Sequence, residues 1–294
     1  MSATSEVPAA FRHAAGDRGA VRLIAEGVAD IRSRRRLVSY LVQADVHKRG
    51  ADTLLGNIWW ILDPLLQMAV YAIFVTIIVS KQLEDYPLFI FAAILPWKWF
   101  TSTMTDATSS IVGKEQLIKQ IQFPKIILPA AASVAGIVSF GFGTIALLLL
   151  MLLYPHRISP YLLLIPVIAA VQFVFSLGCA FLMAAGNVFF RDLGNVEGHV
   201  LRLIWFLSPG LYSLEILDNL HIFKEHPFLR TLAELNPFAI LFTAYRTVIY
   251  GTADSPPGLP DFTSLVGLFV ASVILVAIAT VLFKRLEPSF AKVV

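Results

Sequence analysis

Residues 126–186 read IILPAAASVAGIVSFGFGTIALLLLMLLYPHRISPYLLLIPVIAAVQFVFSLGCAFLMAAG. Two uncharged apolar runs, Ile126–Tyr154 and Tyr161–Gly186, flank Pro155–Pro160, a short polar turn with two prolines. Each run exceeds the roughly 20 residues a helix needs to cross the hydrocarbon core of a bilayer. A turn this short returns the chain antiparallel, so the segment predicts a transmembrane helical hairpin.

Working outward, the same criterion marks Ile58–Ser80 and Pro87–Met104 upstream, and Val200–Leu214 and Phe262–Phe283 downstream, six expected spans in all. Val200–Leu214 is too short for a plain crossing helix and Ser208-Pro209-Gly210 interrupts it, so a broken span is expected. Pro227–Tyr250 is only semi-apolar, is split by Asn236-Pro237 and carries Arg230, Glu234 and Arg246. A lone lipid-facing helix with those charges is expensive, so two short helices dipping into the outer interface are expected instead. Ala253–Asp261, with three prolines, returns the chain to the last span.

Composition agrees. Of 294 residues 57% are hydrophobic and 15% charged, against roughly 45–50% and about 25% in soluble domains. That excludes an ordinary globular enzyme, and a net charge of only +3 gives no reason to expect nucleic-acid binding. Cys179 stands alone in an apolar run, which excludes an internal disulfide. Met1–Asp52 has no apolar core behind its basic residues, so no cleaved signal is expected there.

Most of the 23 Lys and Arg fall on one side of the expected spans. Arg12, Arg18, Arg22, Arg32, Arg34, Arg35, Arg36, Lys48 and Arg49 precede the first span, Lys114, Lys119 and Lys125 follow the second, Arg191 and Arg202 lie between the fourth and fifth, and Lys284, Arg285 and Lys292 close the chain. By the positive-inside rule both termini are cytoplasmic. The chain divides into a cytoplasmic N-terminus, residues 1–57, and a transmembrane domain, residues 58–294.

Three segments stand out. In Arg32–Arg49, Leu37, Val38, Leu41, Val42 and Val46 recur at helical spacing among Arg34, Arg35 and Arg36, the pattern of an interfacial amphipathic helix or of a soluble helix packed on a cytoplasmic partner. The loop Val112–Pro129 carries Leu117, Ile118 and Ile121 on a helical stripe that stops at Phe123-Pro124. Its cover is either another protein or this chain's own helices. Asp63-Pro64 puts a carboxylate and a kink in the first span, as a packing or pathway residue or as a carboxylate snorkelling to the cytoplasmic face. Trp59-Trp60, Trp97-Trp99-Phe100 and Trp205-Phe206 read as an interfacial belt or as stacking faces for sugar rings.

Catalytic patterns are weak. His13, His47, His156, His199, His221 and His226 are scattered, with no H-E-x-x-H and no G-x-S-x-G. Gly113-Lys114-Glu115 lacks the rest of a Walker A phosphate loop. No catalytic residue, metal site or cofactor is expected in this chain, and any ATP must bind elsewhere.

Several segments together resemble the membrane subunits of ABC-2-type polysaccharide exporters, which move lipid-linked O-antigen, teichoic acid or galactan chains. They are Leu54–Leu65, similar to an LG-x-x-W-x-x-x-x-PL signature, then Leu95-Pro96-Trp97-Lys98-Trp99-Phe100, Leu117-Ile118-Lys119 with Phe123-Pro124-Lys125, Phe190-Arg191-Asp192, Leu207-Ser208-Pro209, and Leu235-Asn236-Pro237 with Tyr245-Arg246. The resemblance runs from Tyr40 to the end. It departs at Ala44–Gly50, where the family often has R-D-L-K-x-R-Y, and at Lys125, where it often has arginine.

The resemblance implies an all-α integral membrane fold of six spans with an interfacial N-terminal helix and a periplasmic re-entrant hairpin. It implies a homodimer in the bacterial inner membrane with two copies of a separate ATPase that bind ATP and Mg, and a polyprenyl-diphosphate-linked glycan as substrate. It makes Lys114, Glu115, Leu117, Ile118, Lys119, Ile121 and Phe123 the ATPase-coupling residues, and Pro227–Tyr250 the gate. A path lined by aromatic and small polar side chains rather than charges is expected, with Tyr86, Phe89, Tyr212, Asn236 and Pro237 near its outer end. The rival readings are an ABC-2 exporter of drugs or small lipids, and a membrane enzyme on lipid-linked sugars using Glu197, His199 and Arg191-Asp192.

Overall fold

The structure, a computed structural model, describes residues 19–50, 54–78, 84–219, 221–252 and 255–293. Arg12, His13 and Arg18, the expected end of the first span at Val79-Ser80, and Ala253 lie outside the described residues, as do the side chains of Arg49, Asn57 and Lys292. All regular structure among the described residues is helical. In chain order the helices are α1 (Ala20–Ser33), α2 (Arg35–Gly50), α3 (Trp59–Ile78), α4 (Tyr86–Ser109), α5 (Glu115–Gln120), α6 (Ile127–Met151), α7 (Ile165–Phe189), α8 (Leu193–Leu207), α9 (His221–Glu225), α10 (Pro227–Glu234), α11 (Pro237–Ile249) and α12 (Phe262–Val293).

Three stretches, Ile127–Met151, Pro160–Phe189 and Phe262–Phe290, are long and apolar enough to cross a membrane. The chain is a multi-pass membrane protein, all-helical among the described residues. At 1.5 Å per residue α6 is about 37 Å long, and the proline-bounded turn after it sends α7 back beside it, as the hairpin pattern predicts.

Element limits differ from the sequence reading where polar residues are helical. The expected helix Arg32–Arg49 is two helices that meet at Arg34, and α1 is an additional amphipathic helix. Helix α8 begins seven residues before Val200 and ends at Leu207, where Pro209 and the following turn stop it. Helix α12 continues ten residues past Phe283, through Pro288.

Helix α4 is the hub of the bundle. It packs on α3, α6, α7, α8 and α11, and its residues Leu88–Leu95 are all buried. Helices α7 and α12 form the most extensive pair. Gly178 permits their approach, because a Cβ there would lie 2.8 Å from Leu275 Cγ and 3.2 Å from the Val276 backbone nitrogen.

Three tryptophans expected at an interface are interior instead. Trp97, Trp99 and Trp205 are buried, with Trp97 edge-on to Phe238 at 5.0 Å and Trp205 edge-on to Phe242 at 5.6 Å. Helix α11 brings Phe238 and Phe242 against α4 and α8, and this burial of large rings outweighs the usual preference of tryptophan for the interface. Trp59 and Phe206 remain exposed.

Candidate functional site

One pole of the bundle carries α1, α2, the loop around α5, and the ends of α7 and α12. Ile118 and Phe123 from the loop are buried in one cluster with Leu41, Ile126 and Phe283, against which Leu37, Val38, Val42 and Leu117 pack. The apolar stripe of the loop is therefore covered largely by this chain's own α2 and by the bundle. Lys114 reaches Asp45 of α2 at 3.5 Å. Ile121 stays 54% exposed, beside exposed Gln116, Lys119, Gln120 and Gln122. Lys119 pairs with Glu115 at 2.5 Å, and that hydrogen bond holds the Glu115 carboxyl below the usual range. Arg34, Arg35 and Arg36 point to the outside of the same pole.

Helices α1 and α12 are tied to the root of this loop. Lys284 of α12 bonds Asp30 of α1 at 2.8 Å and Glu287 at 2.7 Å. Glu287 in turn accepts the backbone N–H of Lys125. Gly27 of α1 sits where a Cβ would lie 2.7 Å from Thr280 of α12. Helix α1 was missed in the sequence, although Val21, Ile24, Val28 and Ile31 mark it at helical spacing.

At the opposite pole two buried arginines hold irregular backbone. Arg246 of α11 donates to the carbonyls of Pro209, Gly210, Tyr212 (2.9 Å) and Phe89 (3.3 Å), with its guanidinium 3.8 Å from the Phe89 ring centre. Carbonyls left without partners after α8 ends thus find a planar donor. Asn236 accepts the Phe238 N–H, capping α11, and donates to Ser208 Oγ at 2.9 Å. Pro237 follows as the first residue of that helix, and Tyr86 donates to the Leu211 carbonyl. Of the expected gate residues, Tyr86, Phe89, Tyr212 and Asn236 therefore meet around the α8 break. Tyr86 and Phe89 are buried in the packing of the protomer.

Arg157 in the α6–α7 turn bonds Asp85 at 3.0 Å and the carbonyls of Tyr250 and Thr252 at 3.0 and 3.1 Å. His156 reaches the same Asp85 oxygen at 2.7 Å.

Between the poles runs a polar face that the sequence reading did not single out. After Leu95, every residue of α4 that is not buried is polar: Lys98, Thr101, Ser102, Thr105, Asp106 and Ser109. Their spacing of three and four residues puts them on one side of the helix, over about 16 Å. At its head Lys98 pairs with Asp63 of α3, in a cleft with Trp60, Trp99, Ser102 and Ser139. At its foot a second cleft joins Asp106 and Ser109 to Asp45, Lys48 and Lys114. Midway, Thr105 donates to buried Glu197 of α8 at 3.0 Å. Glu197 turns inward while Arg191, Asp192 and His199 are exposed, so the structure does not gather these four into one site.

No family model matches the chain. Among curated proteins, the O-antigen export system permease protein RfbA of Myxococcus xanthus is 29% identical over 265 residues, covering 90% of this chain and 98% of the relative. The chain is similar to O-antigen export permeases. Two Klebsiella pneumoniae proteins of the same name are 24% and 23% identical over 258 and 262 residues, each covering 87% of this chain and 94% of the relative. Coverage is nearly end to end on both sides, so the likeness takes in both poles and the α4 face rather than one shared segment. It agrees with the motif resemblance to ABC-2 polysaccharide export permeases.

Proposed function

We propose that this chain is the transmembrane half of an ATP-driven exporter that carries a polyprenyl-diphosphate-linked polysaccharide from the cytoplasm across the bacterial inner membrane. The observation that carries this reading is the near full-length similarity to proteins named as O-antigen export permeases. In it, α3, α4, α6, α7, the broken α8 and α12 are the six spans, both termini are cytoplasmic, and α10–α11 form the re-entrant periplasmic hairpin. Helix α2 lies on the inner membrane surface, its arginines toward lipid headgroups.

Two copies of the chain work with two copies of a separate ATPase, which binds ATP and Mg. The exposed edge of the loop, Gln116, Lys119, Gln120 and Ile121, is the part that meets the ATPase, with Lys114, Glu115, Leu117, Ile118 and Phe123 shaping and anchoring it. Motion delivered there passes directly to α6 through Lys125 and to α12 and α1 through Glu287 and Lys284. This chain contributes binding and conformational change, and no covalent step.

The open face of α4 supports a path of this kind. Hydroxyls and a compensated ion pair on a spanning helix are costly against lipid, but suit water and a hydroxylated polymer. The wall so formed carries charges in partnered positions, which refines the expectation of an uncharged path. Tyr86, Phe89 and Arg246 then brace its outer end rather than touch the glycan.

Deleting the gene and following surface polysaccharide tests the proposal. Loss of surface glycan with lipid-linked chains accumulating inside is expected, and restoration requires both this chain and the ATPase. Unchanged surface glycan would reject it.

A further inference from the structure

We infer that the cleft at the head of the α4 face is a sugar subsite that binds a neutral, hydroxyl-rich pyranose unit, an inference that rests on the export reading above. The cleft joins the indole of Trp60, the paired Asp63 and Lys98, and the hydroxyls of Ser102 and Ser139. Trp60 is held edge-on to Phe142 at 4.9 Å, which fixes its ring. Asp63 is the sole charged residue of α3, and Lys98 the sole basic residue of α4. Their side chains are 60% and 34% exposed, and on a water-lined path an ion pair that open adds little to folding stability. Folding alone therefore gives little reason for a lone carboxylate on an otherwise apolar α3, whereas ligand binding does.

The chemistry fits a polyol. A carboxylate only accepts hydrogen bonds and an ammonium only donates them. Two neighbouring sugar hydroxyls do both, so one donates to Asp63 and the other accepts from Lys98 while each ion keeps its counter-charge nearby. The apolar C–H face of the ring meets the indole of Trp60. At the head of the face Asp63 and Lys98 cancel each other's charge. An anionic sugar ring would give up water at its own charge there and gain no free counter-charge, which favours a neutral ring at this subsite.

The test uses the full chain assembled with its ATPase in nanodiscs, titrated with maltohexaose and with hexagalacturonate while tryptophan emission is followed. A saturable shift with maltohexaose is expected, absent in Trp60→Phe, weakened at least tenfold in Asp63→Asn/Lys98→Met and retained in Lys98→Arg. Hexagalacturonate should give no saturable shift. Absence of a saturable shift with maltohexaose in the native complex, equal affinity in the double variant, or tighter binding of hexagalacturonate would overturn the subsite.

Co-purification of the ATPase with the double variant verifies that it has folded. Surface glycan in cells separates the two readings. If the double variant exports at the native rate while deletion abolishes export, the subsite fails and the exporter stands. If deletion leaves export intact, the exporter reading itself fails.

Discussion

Arg246 donates to four backbone carbonyls, and through them holds the end of α8, the start of α4 and the hairpin helix α11 together. A lysine in its place has the charge but not the planar fork, so Arg246→Lys should lower the melting midpoint of the detergent-solubilised protein. Arg246→Ala should lower it further, with stability reduced by about 3 kcal/mol or more, since each buried carbonyl left without a donor costs about 1–3 kcal/mol. Tryptophan emission during heating reads both, because Trp97 and Trp205 lie in the core beside α11. Asp85 carries the pH dependence of the same pole. Partial burial works to raise its pKa, but hydrogen bonds and charge from His156 and Arg157 hold it below the usual range. Its unfolded value is roughly 3.9, so the contribution is complete above that pH and is lost as pH falls through the lower folded value. The stability difference between the native protein and Asp85→Asn should thus be present at pH 7 and shrink toward pH 3, measured as paired melting curves; a gap that stays constant would contradict the assignment. None of these partnerships was legible in the sequence. Arg246 reads there as a charge unsuited to lipid and as part of a motif, but its partners do not show, because its carbonyls lie 34 to 157 residues away.

At the scale of elements, hydropathy located α6 and α7 well because an uncharged run bounded by prolines has few alternatives. It failed on α1, where charged residues alternate with the apolar stripe, and on Trp97 and Trp205, whose cover comes from α11 late in the chain. The loop around α5 shows the same limit. Spacing revealed an apolar stripe, but not that Ile118 is buried in the cluster that includes Leu41 of α2 while Ile121 stays open. Ile118→Asp should therefore destabilise the loop itself, whereas Ile121→Glu should leave folding intact and weaken ATPase co-purification at least tenfold. Comparing pull-down yield with thermal stability for the two variants separates these effects, and equal loss of stability in both would contradict the division. The α7–α12 pair makes a further claim. Gly178→Val forces a branched side chain toward the Val276 backbone, and overpacking of this kind costs about 1–3 kcal/mol. The variant should insert normally yet melt lower, with faster proteolysis in α12, and an unchanged melting curve would show that the close approach is not required.

For the whole molecule, the two poles and the polar face between them give the bundle a direction. The pole with α1, α2 and the α5 loop holds most of the basic residues that marked the cytoplasmic side in the sequence, and the pole with Asp85, Arg157 and the hairpin holds the irregular backbone. The family resemblance was legible because its motifs occur in order along the chain. The α4 face was not, since its residues are unremarkable singly and emerge as a surface only once α3, α6 and α8 cover the rest of the helix. The measurement that tests the account most directly is transport in proteoliposomes containing this chain and its ATPase, supplied with a radiolabelled polyprenyl-diphosphate-linked glycan on the ATPase side. The account predicts ATP-dependent appearance of the labelled glycan in the opposite compartment, absent without ATP, without this chain or with an ATPase unable to hydrolyse ATP. Labelled glycan that stays on the ATPase side despite active ATP hydrolysis by the assembled complex would contradict it.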